Sequence, residues 1–226
     1  VYGVSASSYV GDHFGRVIWV DMSAGVEPNE QYYRSEGKKI DVSGFGKWSG
    51  ELSSLRWHGE AQLRHVNYET TGRDNDYSEI FIKDTLTFFN PKVGLNWNPS
   101  DALRAFMSVA VAHREPARSD YLDSPQDTPL RPERLVDLEA GTKIRHENWA
   151  FGATVYNMQY KDQLASTGLL NDVGNPVRLN VEDSYRRGIE LEMGFQATPV
   201  VRLEGNLTLS RNKVANFQEV IYDGLD

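Results

Sequence analysis

Two pairs of carboxylates stand two residues apart in this chain, Asp137/Glu139 in LVDLEAGTKI and Glu190/Glu192 in RGIELEMGFQ. Alternate residues of an extended strand share a face, so either pair could divide acid and base work as glycosidase carboxylates do. The same polar parity carries charge along nearly every such segment, and Arg145 and Arg202 are near enough in sequence to balance it. A hydrated wall accounts for the pattern without chemistry, and no catalytic residue is assigned. His13 and Asp12 in GDHFG fall short of the three or four ligands that hold zinc. The acids of SDYLDSPQD (119–127) lack the glycine and closing glutamate of a calcium loop and read as a solvated loop. GFGKWSG (44–50) misses both dinucleotide and phosphate-loop spacings, and no nucleophile elbow is present. With no cysteine in the chain, thiolate catalysis, disulfides and zinc knuckles are excluded. No metal site and no cofactor is expected.

Binding is the more natural use of the remaining chemistry. His13, Tyr32, Tyr33, Arg118 and Tyr121 combine rings and charge in long connecting segments. Exposed aromatic and cationic groups in loops can stack on and pair with a bulky solute. Tyr is also ordinary at a membrane rim, so these five are ligand-binding candidates by type and place only.

The elements that would position these groups are strands. In PKVGLNWNPSDALRAFMSVAVAHREP (91–116), Val93, Leu95 and Trp97 share one parity. Leu103, Ala105, Met107, Val109 and Val111 share the parity of the next run, with Lys92, Asn96, Arg104 and Ser108 between. Leu55, Trp57, Ala61 and Leu63 repeat the pattern, as do Val136, Leu138, Ala140 and Ile144, then Ile189, Leu191, Met193 and Phe195, then Val201, Leu203, Leu207 and Leu209. Counted by the period-two template, there are about nine strands. They run to about ten to fourteen residues, against a usual five or six.

Short connections (SGELSS, NPSD, HEN, ATPV) alternate with long ones at 9–37, 70–85, 114–133 and 161–183. All the long ones fall at one end of an up-and-down meander. Crossed sandwich connections would not sort this way, whereas membrane barrels pair tight turns with long outer loops. Trp48, Trp57, Trp97 and Trp149 sit beside the short turns, and Tyr156 and Tyr160 near the other rim, as in interfacial girdles. The apolar face is therefore expected to meet lipid and the charged face a wet lumen. A half-buried soluble sheet, such as a lipocalin or sandwich, shares the alternation. Strand length and sorted loops separate the two.

Composition agrees without deciding. Hydrophobic residues make up 39% and charged residues 25%, and mean hydropathy is -0.53. Barrels score as polar because only alternate residues meet lipid. No apolar run approaches the roughly 20 residues of a membrane helix. A net charge of -8 argues against nucleic acid.

Several segments are similar to the barrel of TonB-dependent outer-membrane receptors. They are YVGDHFGRVIW (9–19), QLRHVNYETTG (62–72), FFNPKVGLNWNPSDALRAFMSVAVAHREPARSDY (88–121), LRPERLVDLEAGTKI (130–144), VYNMQYKDQLASTGLLNDVGNPVRLNV (155–181) and SYRRGIELEMGF (184–195). Their order and spacing carry the resemblance, which is nearest the Bacteroides-like branch. It implies an all-β antiparallel meander of about nine strands, part of a transmembrane barrel of about 22. Residues 1–226 are then a partial barrel domain, with plug domain and final strands elsewhere in the protein.

The resemblance further implies active uptake of a bulky nutrient, a ferric siderophore first, at the outer membrane of a Gram-negative bacterium. Its partners would be TonB and the inner-membrane energising complex (through the plug) and outer-membrane lipid, with no enzymatic step. The alternatives are a passive porin-like barrel and a soluble β-sheet carbohydrate-binding or hydrolase module.

Overall fold

Strict alternation of apolar and polar side chains gives the chain strands and little else. In the computed structural model, which describes residues 1–19, 29–74, 78–124, 128–171, 174 and 176–215, the strands are β1 (Tyr2–Arg16), β2 (Gln31–Leu52), β3 (Leu55–Arg73), β4 (Glu79–Ser100), β5 (Leu103–Arg114), β6 (Glu133–Arg145), β7 (Trp149–Leu170), β8 (Pro176–Thr198) and β9 (Val201–Val214). One helix, α1 (Arg118–Asp123), lies between β5 and β6. Among the described residues the strands form one nine-stranded sheet in chain order. That is the expected meander.

The short connections are the expected ones. Ser53, between β2 and β3, takes φ 55°, and the Asn98 N–H donates to the Ser54 carbonyl at 2.8 Å. The β4–β5 register shifts between Trp97 and Ser100, where Pro99 can offer the ladder no N–H. At the opposite end Pro116 lies two residues past the end of β5 and Pro132 immediately precedes β6, positions at strand ends that suit proline.

The long connections are shorter than expected, because the strands continue into them. β7 and β8 together take up most of 161–183, and β3 and β4 most of 70–85. Toward the far ends of the strands the outward parity becomes polar, while Val66, Leu164, Val177 and Val181 are buried on the other face. In β3 the exposed parity runs Leu55, Trp57, Ala61, Leu63 and then His65 and Asn67. Hydrogen bonding continues where the period-two signal fades.

The chain divides into two compact units, Tyr2–Phe45 with Gln62–Phe88, and Val1 with Gly46–Ala61 and Phe89–Asp226. In the first, Val66, Ile80 and Phe88 are buried; in the second, Leu164, Val177 and Val181. These small clusters are the whole described apolar core. Leu191 and Val136 are only half-buried, while Val201 and Leu203 are 44% and 60% exposed. Among the described residues no dry two-layer interior encloses the apolar parity. Each large side chain left in water would forgo about 1.5–3 kcal/mol, so such a face favours an apolar covering.

Candidate ligand-facing wall and its anchored connection

Register places the charged parity of β5 to β9 on one face. Arg104 pairs with Lys143, Lys143 with Gly152, Gly152 with Glu192 and Glu192 with Asn206. Along parallel rows stand Glu139, Tyr156, Glu190, Arg186 and Asn212. The Lys143 ammonium lies 3.1 Å from the Glu192 carboxylate, with both side chains more than half exposed. An exposed pair of this kind contributes at most about 1 kcal/mol. Arg202 pairs with Glu204. The Glu190/Glu192 pair therefore sits in an exposed wall of alternating sign, with Glu192 taking Lys143 as its partner rather than the arginines expected, whereas Asp137 keeps a buried Oδ1 with no hydrogen-bond partner among the described residues. Near the short turns this wall bounds a hollow of about 840 Å³ whose charged lining includes Arg104, Lys143, Glu192 and Arg202.

In the other unit Arg64 grips Asp41, its Nε 3.1 Å from both carboxylate oxygens, and its guanidinium stands 5.9 Å from the Phe88 ring centre. Planar two-point contact of this kind is what Arg supplies and Lys cannot.

The connection between β5 and β6 is fastened to β7 and β8. Asp120, in the first turn of α1, is 3% exposed. Its carboxylate accepts from the Ala117 N–H at 2.8 Å and lies 3.6 Å from Arg178 on β8. Asn180 makes three bonds: its Oδ1 accepts from Arg131 N–H at 2.7 Å, and its Nδ2 donates to the carbonyls of Arg131 at 2.8 Å and Asp162 at 2.6 Å. Arg131 in turn lies 2.8 Å from the Asp162 carboxylate. Asp162 takes φ 55°, a conformation costing a non-glycine residue about 1–2 kcal/mol, and these bonds hold it there. Asn171 donates to Asp123 at 3.1 Å.

The five ligand-binding candidates divide between the units. His13 lies on β1 and Tyr32 and Tyr33 open β2, so they stand on strand extensions rather than in loops. The two tyrosine rings meet edge to face with centres 5.1 Å apart, and both would crowd a side chain at Gly15. Arg118 and Tyr121 lie on α1. His13 belongs with Tyr32 and Tyr33, and Arg118 with Tyr121. Asp120 and Asp123 of the acid cluster bond to Arg178 and Asn171, while Asp127 lies outside the described residues. No group of three or more metal-ligating side chains forms among the described residues.

Asp162, Arg178 and Asn180 were not singled out by sequence. A lone polar residue inside a strand carries no mark of a partner 18 or 49 positions away.

The apolar rows lie on the opposite parity. Met107, Ala140, Val155, Ile189 and Leu209 follow one another across β5 to β9. Trp48, Trp57, Trp97 and Trp149 lie near the short turns, each 39–50% exposed. That array of long antiparallel strands, with one apolar and one ionic face and aromatics at the turn end, is matched across residues 2–225 by the family described as TonB dependent receptor-like, beta-barrel. The chain belongs to this family. The match is to the TonB-dependent receptor barrel as a whole and does not reach the Bacteroides-like branch.

Solved barrels with the same strand arrangement include the copper transporter OprC, with TM-score 0.70 and 15% identity over 95% of this chain and 35% of that one. The ferric yersiniabactin uptake receptor FyuA from Yersinia pestis gives 0.67 and 16% over 97% and 33%. The ferric-catecholate import receptor Fiu from K12 E. coli, in its closed form, gives 0.64 and 13% over 99% and 36%. At such identities the likeness is one of fold. The chain spans about a third of the length of these solved proteins. No curated protein sequence matches it.

Proposed function

We propose that residues 1–226 are part of the barrel of an outer-membrane TonB-dependent receptor in a Gram-negative bacterium. In this reading the receptor takes up a bulky nutrient, a ferric siderophore first. The observation that carries it is the family match over residues 2–225 on a sheet whose apolar parity has no protein layer over it among the described residues. OprC is named a copper transporter, FyuA and Fiu receptors for ferric ligands; these names support metal-chelate cargo and set iron ahead of copper.

The chain's contribution is wall and ligand surface. The ionic parity offers exchangeable pairing to a polar solute, and exposed pairs cost little to open. Asp120, Arg178 and Asn180 hold the β5–β6 connection in place, so less entropy is lost when Arg118 and Tyr121 engage a ligand. His13, Tyr32 and Tyr33 are proposed as contacts on the strand extensions. The plug domain and the final strands belong to the rest of the receptor, where TonB and its inner-membrane complex would act. No bond chemistry is required of these residues.

The test is growth of a strain lacking the receptor gene on defined ferric siderophores, with and without TonB. Loss of uptake for one chelate, restored by the gene only when TonB is present, is expected. Uptake that persists without TonB would instead make the barrel a passive porin.

A further inference from the structure

The outward parity does not stay apolar to its end, and what replaces it in β7, β8 and β9 is cationic. Above the row Val155, Ile189 and Leu209 comes the row Asn157, Arg187 and Arg211, and then Gln159, Tyr185 and Lys213. Arg187 and Arg211 are direct cross-strand partners. Like charges placed opposite each other destabilise a sheet. Among the described residues no carboxylate pairs with Arg187, Arg211 or Lys213. The Arg187 guanidinium lies over the Tyr185 ring, 4.6 Å from its centre. One row higher, Lys161 stands between Arg134 and Asp183, so the outward face keeps its cationic excess above these three residues.

Their height is informative. Arg187 lies about eleven residues from the end of β8 at Thr198 and Arg211 about ten from the start of β9 at Val201, close to the roughly nine to eleven residues that carry a tilted strand across hydrocarbon. Both therefore stand where acyl chains give way to headgroups. A shallow groove between the strands is lined there by Asn157, Gln159, Arg187 and Arg211 above Val155 and Leu209. An apolar floor under a cationic lip fits an anionic group attached to hydrocarbon. A free anion would leave the floor unused.

We propose that Arg187, Arg211 and Lys213 form a binding site on the outside of the barrel for the phosphate of a phosphorylated lipid in the outer leaflet. The site lies on the face opposite the ligand-facing wall. It rests on the outer-membrane reading above. Arginine binds phosphate oxygens with paired N–H donors, and a bridging phosphate would convert the Arg187–Arg211 repulsion into a clamp. Asn157 and Gln159 add neutral donors at the groove wall.

The experiment uses the full-length receptor in detergent micelles and titrates dilauroyl phosphatidic acid, with phosphatidylcholine of the same chain length as one control arm and inorganic phosphate as the other. The wild type is expected to bind phosphatidic acid at least tenfold more tightly than the triple variant R187Q/R211Q/K213Q. The variant R186Q removes a charge from the ionic face next door and should bind as the wild type does. Retained gel mobility of the unheated barrel checks folding; if the triple variant fails that check, R211Q alone is read in its place, with a loss of threefold or more expected. Equal binding by variant and wild type would overturn the site. Full competition by inorganic phosphate at equal concentration would overturn the lipid as its ligand. A receptor that never floats with membranes would remove the outer-membrane reading and this site together, whereas a membrane-embedded receptor without uptake would remove the transport reading alone.

Discussion

A methyl group added at Gly188 would lie 2.5 Å from the Leu209 carbonyl oxygen and 2.7 Å from the Tyr156 hydroxyl. The first neighbour is backbone and cannot step aside without parting β8 from β9. Gly188→Ala is therefore expected to cost the full-length receptor about 1–3 kcal/mol, the usual penalty for overpacking, read as a lower unfolding midpoint in detergent. Removing the Tyr156 ring as well should recover little, since the carbonyl remains. This close approach was legible in SYRRGIELE, where a glycine interrupts a strand pattern. Asp120 was less so. Its acid cluster read as a solvated loop, and only the fold brings Arg178 to it. Asp120→Ala leaves Arg178 and the Ala117 N–H without their acceptor and should loosen the β5–β6 connection, with proteolysis there rising about tenfold over wild type, the factor that 1.4 kcal/mol of local opening gives.

Strands were the most readable elements, because a sheet between hydrocarbon and water must alternate. Val136, Leu138, Ala140 and Ile144 were identified as one face, and register sets the last three opposite Val109, Met107 and Leu103. The strand extensions were not readable. Past Leu63 in β3 the outward residues turn polar at His65 and Asn67 while Val66 is buried on the other face, so the apolar outward parity that marks the strand is lost while the ladder continues. Here His65 bonds Thr87 at 2.9 Å and Thr85 donates to Asn67 at 2.9 Å. Side-chain pairs of this kind support the outward face of the strand there. The same reasoning predicts unequal tolerance within β8. Leu191→Arg puts a charge toward the bilayer and should cost about 2–4 kcal/mol, whereas Glu190→Gln, on the neighbouring parity, should change stability by less than about 0.5 kcal/mol. Asn180→Ala removes three hydrogen bonds at once and should speed amide exchange at Arg131 while leaving β9 protected.

At the scale of the molecule, the described sheet ends at β1 and β9, and its apolar parity is open. Exposed edges template pairing with other chains. The isolated 1–226 polypeptide is expected to partition into detergent and to associate in its absence; a monodisperse water-soluble monomer in light scattering would count against a barrel wall. The central claim is that hydrocarbon covers the apolar parity and water the ionic one. The chain has no cysteine of its own, so single nitroxide labels can be placed in turn at Ile189, Glu190, Leu191 and Glu192 of the membrane-reconstituted receptor. Collision with dissolved oxygen should dominate at Ile189 and Leu191, and collision with a water-soluble nickel chelate at Glu190 and Glu192. Equal accessibility to both reagents along the strand, or the reverse alternation, would contradict the account.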